Sequence, residues 1–281
     1  MESHAYKELK IAAAKIRMDI IESLYCAGSG HPGGSLSIAD ILAVLYFKEM
    51  NINAENPEWP ERDRFVLSKG HCAPAYYAAL AEKGYFSRDE LKNLRKGSSF
   101  LQGHPDMKKT PGVDMSSGSL GLGLSAANGM AMIGKAENKD YHVYAMLGDG
   151  EIQEGQIWEA AMTAAHYKLD NLTAFVDLNG LQIDGEVAAV MNPAPVDKKF
   201  AAFGWHVIVI DGHHLEEIID AIEEGKRTKG RPTAILCRSI KGKGVSFMEN
   251  KVGWHGMTPN KEQYDEAVKE LEQTLRELEV G

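Results

Sequence analysis

Apolar residues fall at Leu9, Ala13, Ile16, Ile20 and Leu24, in steps of three and four, and Gly28-Ser29-Gly30 follows. That spacing predicts a helix over about 5–27. After a glycine-rich loop, Ser35 or Ser37 is placed to cap a second helix through Ile41, Leu42 and Leu45. The stretch 54–63 is polar, carries two prolines and reads as a surface loop. Helical spacing returns at 73–84 and 87–95, before a long loop at 96–117. From about Gly121, the small residues Ala126, Ala127, Gly129 and Ala131 predict a helix held close against a neighbour.

The second half alternates more regularly. Tyr141–Leu147, Leu172–Leu178, 206–210 and 233–237 are short apolar runs rich in β-formers. Helical patterns from Glu151 to about Tyr167, at 195–203 and at 214–225 separate them. Strands separated by helices predict an α/β fold, a parallel sheet flanked by helices on both faces. Past 239 the chain is glycine-rich and irregular. It closes on an amphipathic helix, about 261–280, with Tyr264, Val268, Leu271, Leu275 and Leu278 on one face. The whole of 1–281 reads as one domain.

Composition narrows the function classes. The formal charge of −9 and the absence of a basic cluster argue against nucleic-acid binding, since Lys241-Gly242-Lys243 is too short to line a groove. Cys26, Cys72 and Cys237 are far apart, with no CxxC pair to support a zinc ribbon or disulfide framework. Met1-Glu2-Ser3-His4 leads into a charged stretch, and no apolar run is long enough to span a membrane. A cytoplasmic location is the expectation.

The candidate chemistry begins where the run 141–147 meets Gly148-Asp149-Gly150-Glu151 and then a helical pattern. Glycines let backbone approach a bulky anion, and a helix start offers free N–H groups. Asp149 beside an anion is unfavourable unless a cation lies between them. The next strand ends in Asp177-Leu178-Asn179-Gly180, so Asn179 follows Asp149 by 179 − 149 = 30 residues, about one strand–helix–strand unit. A carboxylate and an amide oxygen on neighbouring strand ends are hard ligands suited to Mg²⁺. A Gly-Asp-Gly alone is more often an ordinary turn; the matched Asn179 reverses that balance.

GDG, thirty residues and Asn resemble the thiamine diphosphate signature, and the surroundings resemble transketolase in particular. Ser29-Gly30-His31-Pro32-Gly33, Ser68-Lys69-Gly70-His71, Gly103-His104-Pro105, Gly150-Glu151-Ile152-Gln153-Glu154-Gly155, and Lys241-Gly242-Lys243-Gly244 through Trp254-His255-Gly256 match in order. The resemblance covers nearly the whole chain and implies the N-terminal, diphosphate-anchoring half of a split transketolase. It implies Mg²⁺ (or Ca²⁺ or Mn²⁺) held by Asp149, Asn179 and the Leu181 carbonyl. Thiamine diphosphate would meet His71, Gly118, Ser119, Leu120, Gly150, Glu151, Asn179, Ile183 and His255. His31, His71, His104 and His255 would serve ketol transfer between sugar phosphates, as in the pentose phosphate pathway. Imidazoles suit that reaction, whose protons leave and return to oxygen near neutral pH. Glu154 would lie near a contact between subunits and couple sites.

One segment departs from the family's Gly-Pro-Leu-Gly-Gln-Gly, reading Gly118-Ser119-Leu120-Gly121-Leu122-Gly123. The family's pyrimidine-binding domain, its tautomerising glutamate and its phosphate-reading arginines have no counterpart here. The resemblance therefore implies a separate partner chain carrying them, in an A₂B₂ assembly. The α chain of 2-oxo-acid dehydrogenases shares the metal signature but not the SGHPGG and KGKG…WHG blocks. A storage protein for thiamine diphosphate would need no histidine set. His142, His166 and His206 read as structural, and His213-His214 as a turn into a helix, not a zinc pair.

Overall fold

The computed structural model describes residues 4–280. The leaderless start read at Met1-Glu2-Ser3 lies outside them. Five parallel strands form the central sheet: β1 (Arg64–Leu67), β2 (Val143–Gly148), β3 (Leu172–Leu178), β6 (His206–Asp211) and β7 (Thr233–Arg238), in the order β1-β2-β3-β7-β6. A two-stranded hairpin, β4 (Leu181–Gln182) and β5 (Gly185–Glu186), sits just past the end of β3 and leads into a single turn, α7 (Val187–Val190).

Alternation along the strands sorts side chains into two cores. Phe65, Leu67, Tyr144, Met146, Phe175, Ile235 and Cys237 face one side. They meet α1 (His4–Ala27), α3 (Ala39–Val44), α4 (Ala73–Lys83) and α9 (Leu215–Arg227). Val66, Val143, Ala145, Leu147, Ala174, Val176 and Leu236 face the other. There they meet α5 (Gly123–Ala136), α6 (Gly155–His166) and α8 (Val196–Ala202). Both faces are covered over β1, β2, β3 and β7, as parallel sheets require, while Val209 on the edge strand β6 is exposed. The final helix, α10 (Lys261–Val280), docks along α1: Ala267 and Leu271 are buried and Tyr264 stacks on Tyr25 with ring centroids 4.2 Å apart.

Four details depart from the sequence reading. Strand β1 has no counterpart in it, because Phe65-Val66-Leu67 is too short to show a period. Ser35 and Ser37 N-cap no helix: α2 (Pro32–Leu36) starts behind His31, the Ser35 hydroxyl donates to the His31 carbonyl and the Ser37 hydroxyl to the Asp177 carboxylate. Glu151–Gln153 is a 3₁₀ turn, so the α-helix proper starts only at Gly155, and 87–95 is likewise 3₁₀ over Arg88–Asn93. On α5, Ala127 and Ala131 face the sheet, but Gly129 is exposed.

Candidate active site

The register of the sheet builds the centre. Gly148 on β2 pairs with Asp177 on β3, so both chains leave the carboxyl edge together. The Asp149 N–H donates to the Asp177 carbonyl. Asp149 and Asn179 therefore stand side by side, both buried, where open parallel sheets hold ligands. The Asp149 carboxylate accepts from Gly150 N (2.8 Å) and Gly180 N (2.6 Å). Burial pushes its carboxyl up to about 6, and the neighbouring Asp177 charge adds to the effect. Such a carboxylate calls for a cation. Among the described residues no cluster of three His, Cys, Asp or Glu forms a metal site. A cation here would draw its other ligands from amides, carbonyls, water or phosphate, which is how Mg²⁺ is commonly held. The Leu181 carbonyl accepts from Lys241 Nζ at 2.9 Å, which leaves one lone pair for a metal.

Three of the four expected histidines converge. The His31 and His71 ring centroids lie 5.1 Å apart, His31 and His255 5.5 Å, and His71 and His255 5.4 Å. They come from the start of α2, the turn after β1 and the turn Val252–His255. His31 Nδ1 and His255 Nδ1 are buried and have no hydrogen-bond partner. Burial pushes all three down, His31 and His71 to about 4 and His255 to about 3, and cations and imidazoles nearby push the same way. All are neutral at pH 7. His104 is exposed and makes no ring contact with the trio, but it lies near enough to interact electrostatically with His31 and His71, its ring 3.2 Å from where a Cβ on Gly118 would lie. Burial and Arg95 lower it too.

The remaining site residues divide. Gly118, Ser119 and Leu120 form a loop beside His104, and Gly121 ends it with φ +88°. A Cβ on Gly121 would sit 2.8 Å from the Glu154 Cβ, so only glycine fits there. Glu154 itself is exposed. Leu120 and Ile183 stand in the open, 40% and 63% exposed, large apolar groups at the mouth of the site. Glu151, expected against the cofactor, is only 2% exposed. Its carboxylate accepts from Ser68 Oγ, Gly121 N and Gly148 N. Burial pushes that carboxyl up against the pull of these donors. These three donors hold it between the Gly118–Gly121 loop and the end of β2, and the one lone pair they leave is buried with it.

Sequence reading missed a buried polar hub behind Asn179. Lys69 Nζ meets Asp177 Oδ2 at 2.6 Å and the Gly34 carbonyl at 3.0 Å. Burial alone would raise Asp177, but Lys69 and hydroxyl donors hold it down to about 2. A charged residue closing an otherwise apolar strand was the available signal. His213, read as a turn residue, bonds Asp40 through Nδ1 (2.7 Å) and accepts from Ile240 N through Nε2 (2.9 Å), so it is structural. A cavity of about 640 Å³ is lined by Asp149, Asn179, Leu181, Asn192, Pro195 and Arg238 but by none of the histidines. The cavity borders Asp149 and Asn179, beside the three imidazoles rather than over them.

Comparison with known proteins places this arrangement. The family model described as "Transketolase, thiamine diphosphate binding domain" matches residues 8–275. The chain is 50% identical over 265 residues to a 6-deoxy-6-sulfo-D-fructose transketolase subunit of Clostridium sp. (strain MSTE9), covering 94% of this chain and 96% of that protein. It is 42% identical to an apulose-4-phosphate transketolase subunit of Phocaeicola vulgatus, covering 96% of each. Human transketolase is 44% identical over 94% of this chain, which spans 42% of the human protein. The solved transketolase of Leishmania mexicana superposes with a TM-score of 0.87 at 30% identity, over 97% of this chain and 45% of that one. The Campylobacter jejuni enzyme gives 0.87 at 32% identity, over 99% and 46%. This chain belongs to the transketolase family, as a thiamine diphosphate-binding domain of that family.

Proposed function

We propose that the chain is the cofactor-anchoring subunit of a split transketolase, transferring a two-carbon ketol unit from a ketose to an aldose. The observation that carries the reading is the pairing of Asp149 with Asn179 on adjacent strand ends, beside three convergent neutral imidazoles. Asp149, Asn179 and the Leu181 carbonyl would hold Mg²⁺, with Ca²⁺ or Mn²⁺ as substitutes. Gly150 and His71 would take the diphosphate, and Gly118, Ser119, Leu120 and Ile183 the rings. The donor set fits: a raised, buried carboxylate needs a cation, and unpartnered imidazole nitrogens await a polar ligand.

Thiamine diphosphate, when bound, supplies the electron sink that C–C cleavage requires. Everything else falls to side chains. His31, His71 and His255 are neutral, so each can accept the proton of a substrate hydroxyl as the bond breaks and return it as the new bond forms. His104, at the open edge, would hydrogen-bond the sugar chain.

A partner chain carrying the pyrimidine-binding domain, in an A₂B₂ assembly, completes this reading. Two relatives named as transketolase subunits are covered over 96% of their length, and exposed Leu120 and Ile183 are apolar surface for such a chain to cover. Both relatives are named for sugars with an anionic tail, sulfonate or phosphate. We assign this assembly an anionic ketose donor and a cytoplasmic site of action, with the pentose phosphate pathway as one setting. The test is Asp149→Ala in the assembly purified from its own cells. Loss of Mg²⁺-dependent cofactor binding and of ketol transfer with the fold intact is expected. Unchanged binding and transfer would overturn the assignment.

A further inference from the structure

We infer that Asp177 is a positioning residue for the metal: it fixes the rotamer of Asn179 so that the amide oxygen, and not the amide nitrogen, faces the cation. The inference rests on the reading of Asp149 and Asn179 as metal ligands. Asp177 is the penultimate residue of β3 and Asn179 the first beyond it, and their side chains meet directly. Its carboxylate is fully buried. Oδ2 accepts from Asn179 Nδ2 at 2.9 Å, Ser37 Oγ at 2.7 Å and Lys69 Nζ at 2.6 Å. Oδ1 accepts from Ser239 Oγ.

An ionised carboxylate offers only acceptors. Turning the Asn179 amide over would set its oxygen against Asp177 Oδ2. It would also point the NH₂ at the Leu181 N–H, which now donates to Asn179 Oδ1 at 3.1 Å. Both contacts would become repulsive together, so one orientation is enforced. An asparagine at 177 would lose this discrimination, because its amide can give or take. The four donors on Asp177 come from four segments: Ser37 beyond α2, Lys69 beyond β1, Asn179 just beyond β3 and Ser239 beyond β7. The direction of one amide is thus set by the assembled fold, not by its own strand.

The test compares wild type, Asp177→Asn, and the paired Lys69→Met/Asp177→Asn variant in the assembly as purified from its own cells. Isothermal titration reads the Mg²⁺ and, separately, the Ca²⁺ concentration that half-saturates thiamine diphosphate binding. Asp177→Asn should raise the Mg²⁺ value about tenfold or more, the usual size for losing a group that orients a metal ligand. The Ca²⁺ value should rise less, because Ca²⁺ accepts irregular shells and Mg²⁺ demands near-octahedral ones. Far-UV circular dichroism checks folding. If the single variant does not fold, the paired variant, which leaves no unpaired buried lysine, is read the same way. A Mg²⁺ value within about twofold of wild type, or equal losses for both ions, would overturn the inference, as would failure of both variants to fold. Asp149→Asn separates the two claims. If it leaves the Mg²⁺ requirement unchanged, the metal assignment itself falls. If it abolishes Mg²⁺-dependent cofactor binding while Asp177→Asn changes nothing, only the positioning role falls.

Discussion

Replacing Glu151 with glutamine keeps the shape of a side chain that is 2% exposed and changes only its charge and one acceptor. One carboxylate oxygen accepts from Ser68 Oγ and Gly121 N, the other from Gly148 N. Whichever way the new amide turns, its NH₂ meets a backbone N–H that now has a partner. Facing Gly148, it orphans one donor and keeps the Ser68 and Gly121 bonds, and this is the cheaper arrangement. An orphaned buried donor costs about 1–3 kcal/mol. At about 2–4 °C per kcal/mol for a chain near this size, a central loss of about 2 kcal/mol lowers Tm by roughly 4–8 °C. Differential scanning calorimetry of Glu151→Gln measures the shift, and titration of thiamine diphosphate reads cofactor affinity alongside. Because the Gly121 bond survives, affinity should hold while Tm falls. An unchanged Tm, or a large loss of affinity at unchanged Tm, would refute the claim that Glu151 braces the loop and does not bind cofactor.

Other expectations follow from buried charge and close packing. His142 is buried just before β2 with Nε2 2.8 Å from Thr173 Oγ1, and burial pushes it down to about 3. An unfolded histidine titrates near 6.5, so the folded state binds fewer protons: this contribution is complete above pH 6.5 and is lost as pH falls from there towards 3. Wild type should lose about 1.4 kcal/mol per pH unit more than His142→Gln over that window, by urea unfolding. Arg17→Met leaves Asp40, which Arg17 holds through both oxygens, buried against His213 alone; a loss of about 3–5 kcal/mol is expected in the same assay. Gly123→Ala would put a Cβ 2.6 Å from the Ser68 Cα and should destabilise by about 1–3 kcal/mol despite better helix propensity. A neutral or stabilising result in thermal melts would show that α5 can slide off β1.

The parallel sheet and the pairing of Asp149 with Asn179 were legible because strand–helix alternation and a thirty-residue interval are both periodic signals. The histidines carried no period at all: His31, His71 and His255 came together only through the resemblance, since three loops far apart in sequence deliver them. Strand β1 hid in four residues, too few to show a period. Glu151 was read only as a cofactor contact, because its neighbours in sequence match the family's cofactor motif. Its own direction depends on Ser68 and Gly121, which no local pattern reveals. Asp177 escaped for the same reason, as its partners lie on four separate segments.

The three imidazoles hold a consequence for how protons travel. Each is already short of basicity through burial, and buried Lys69 or Lys241 lies close enough to repel a charge on any of them. If one ring takes a proton, its charge lowers the proton affinity of the other two. The trio therefore behaves as a single berth: it accommodates one proton at a time and releases it readily. Such a cluster is unsuited to buffering and well suited to a reaction whose proton, removed in one half, must be handed back in the next.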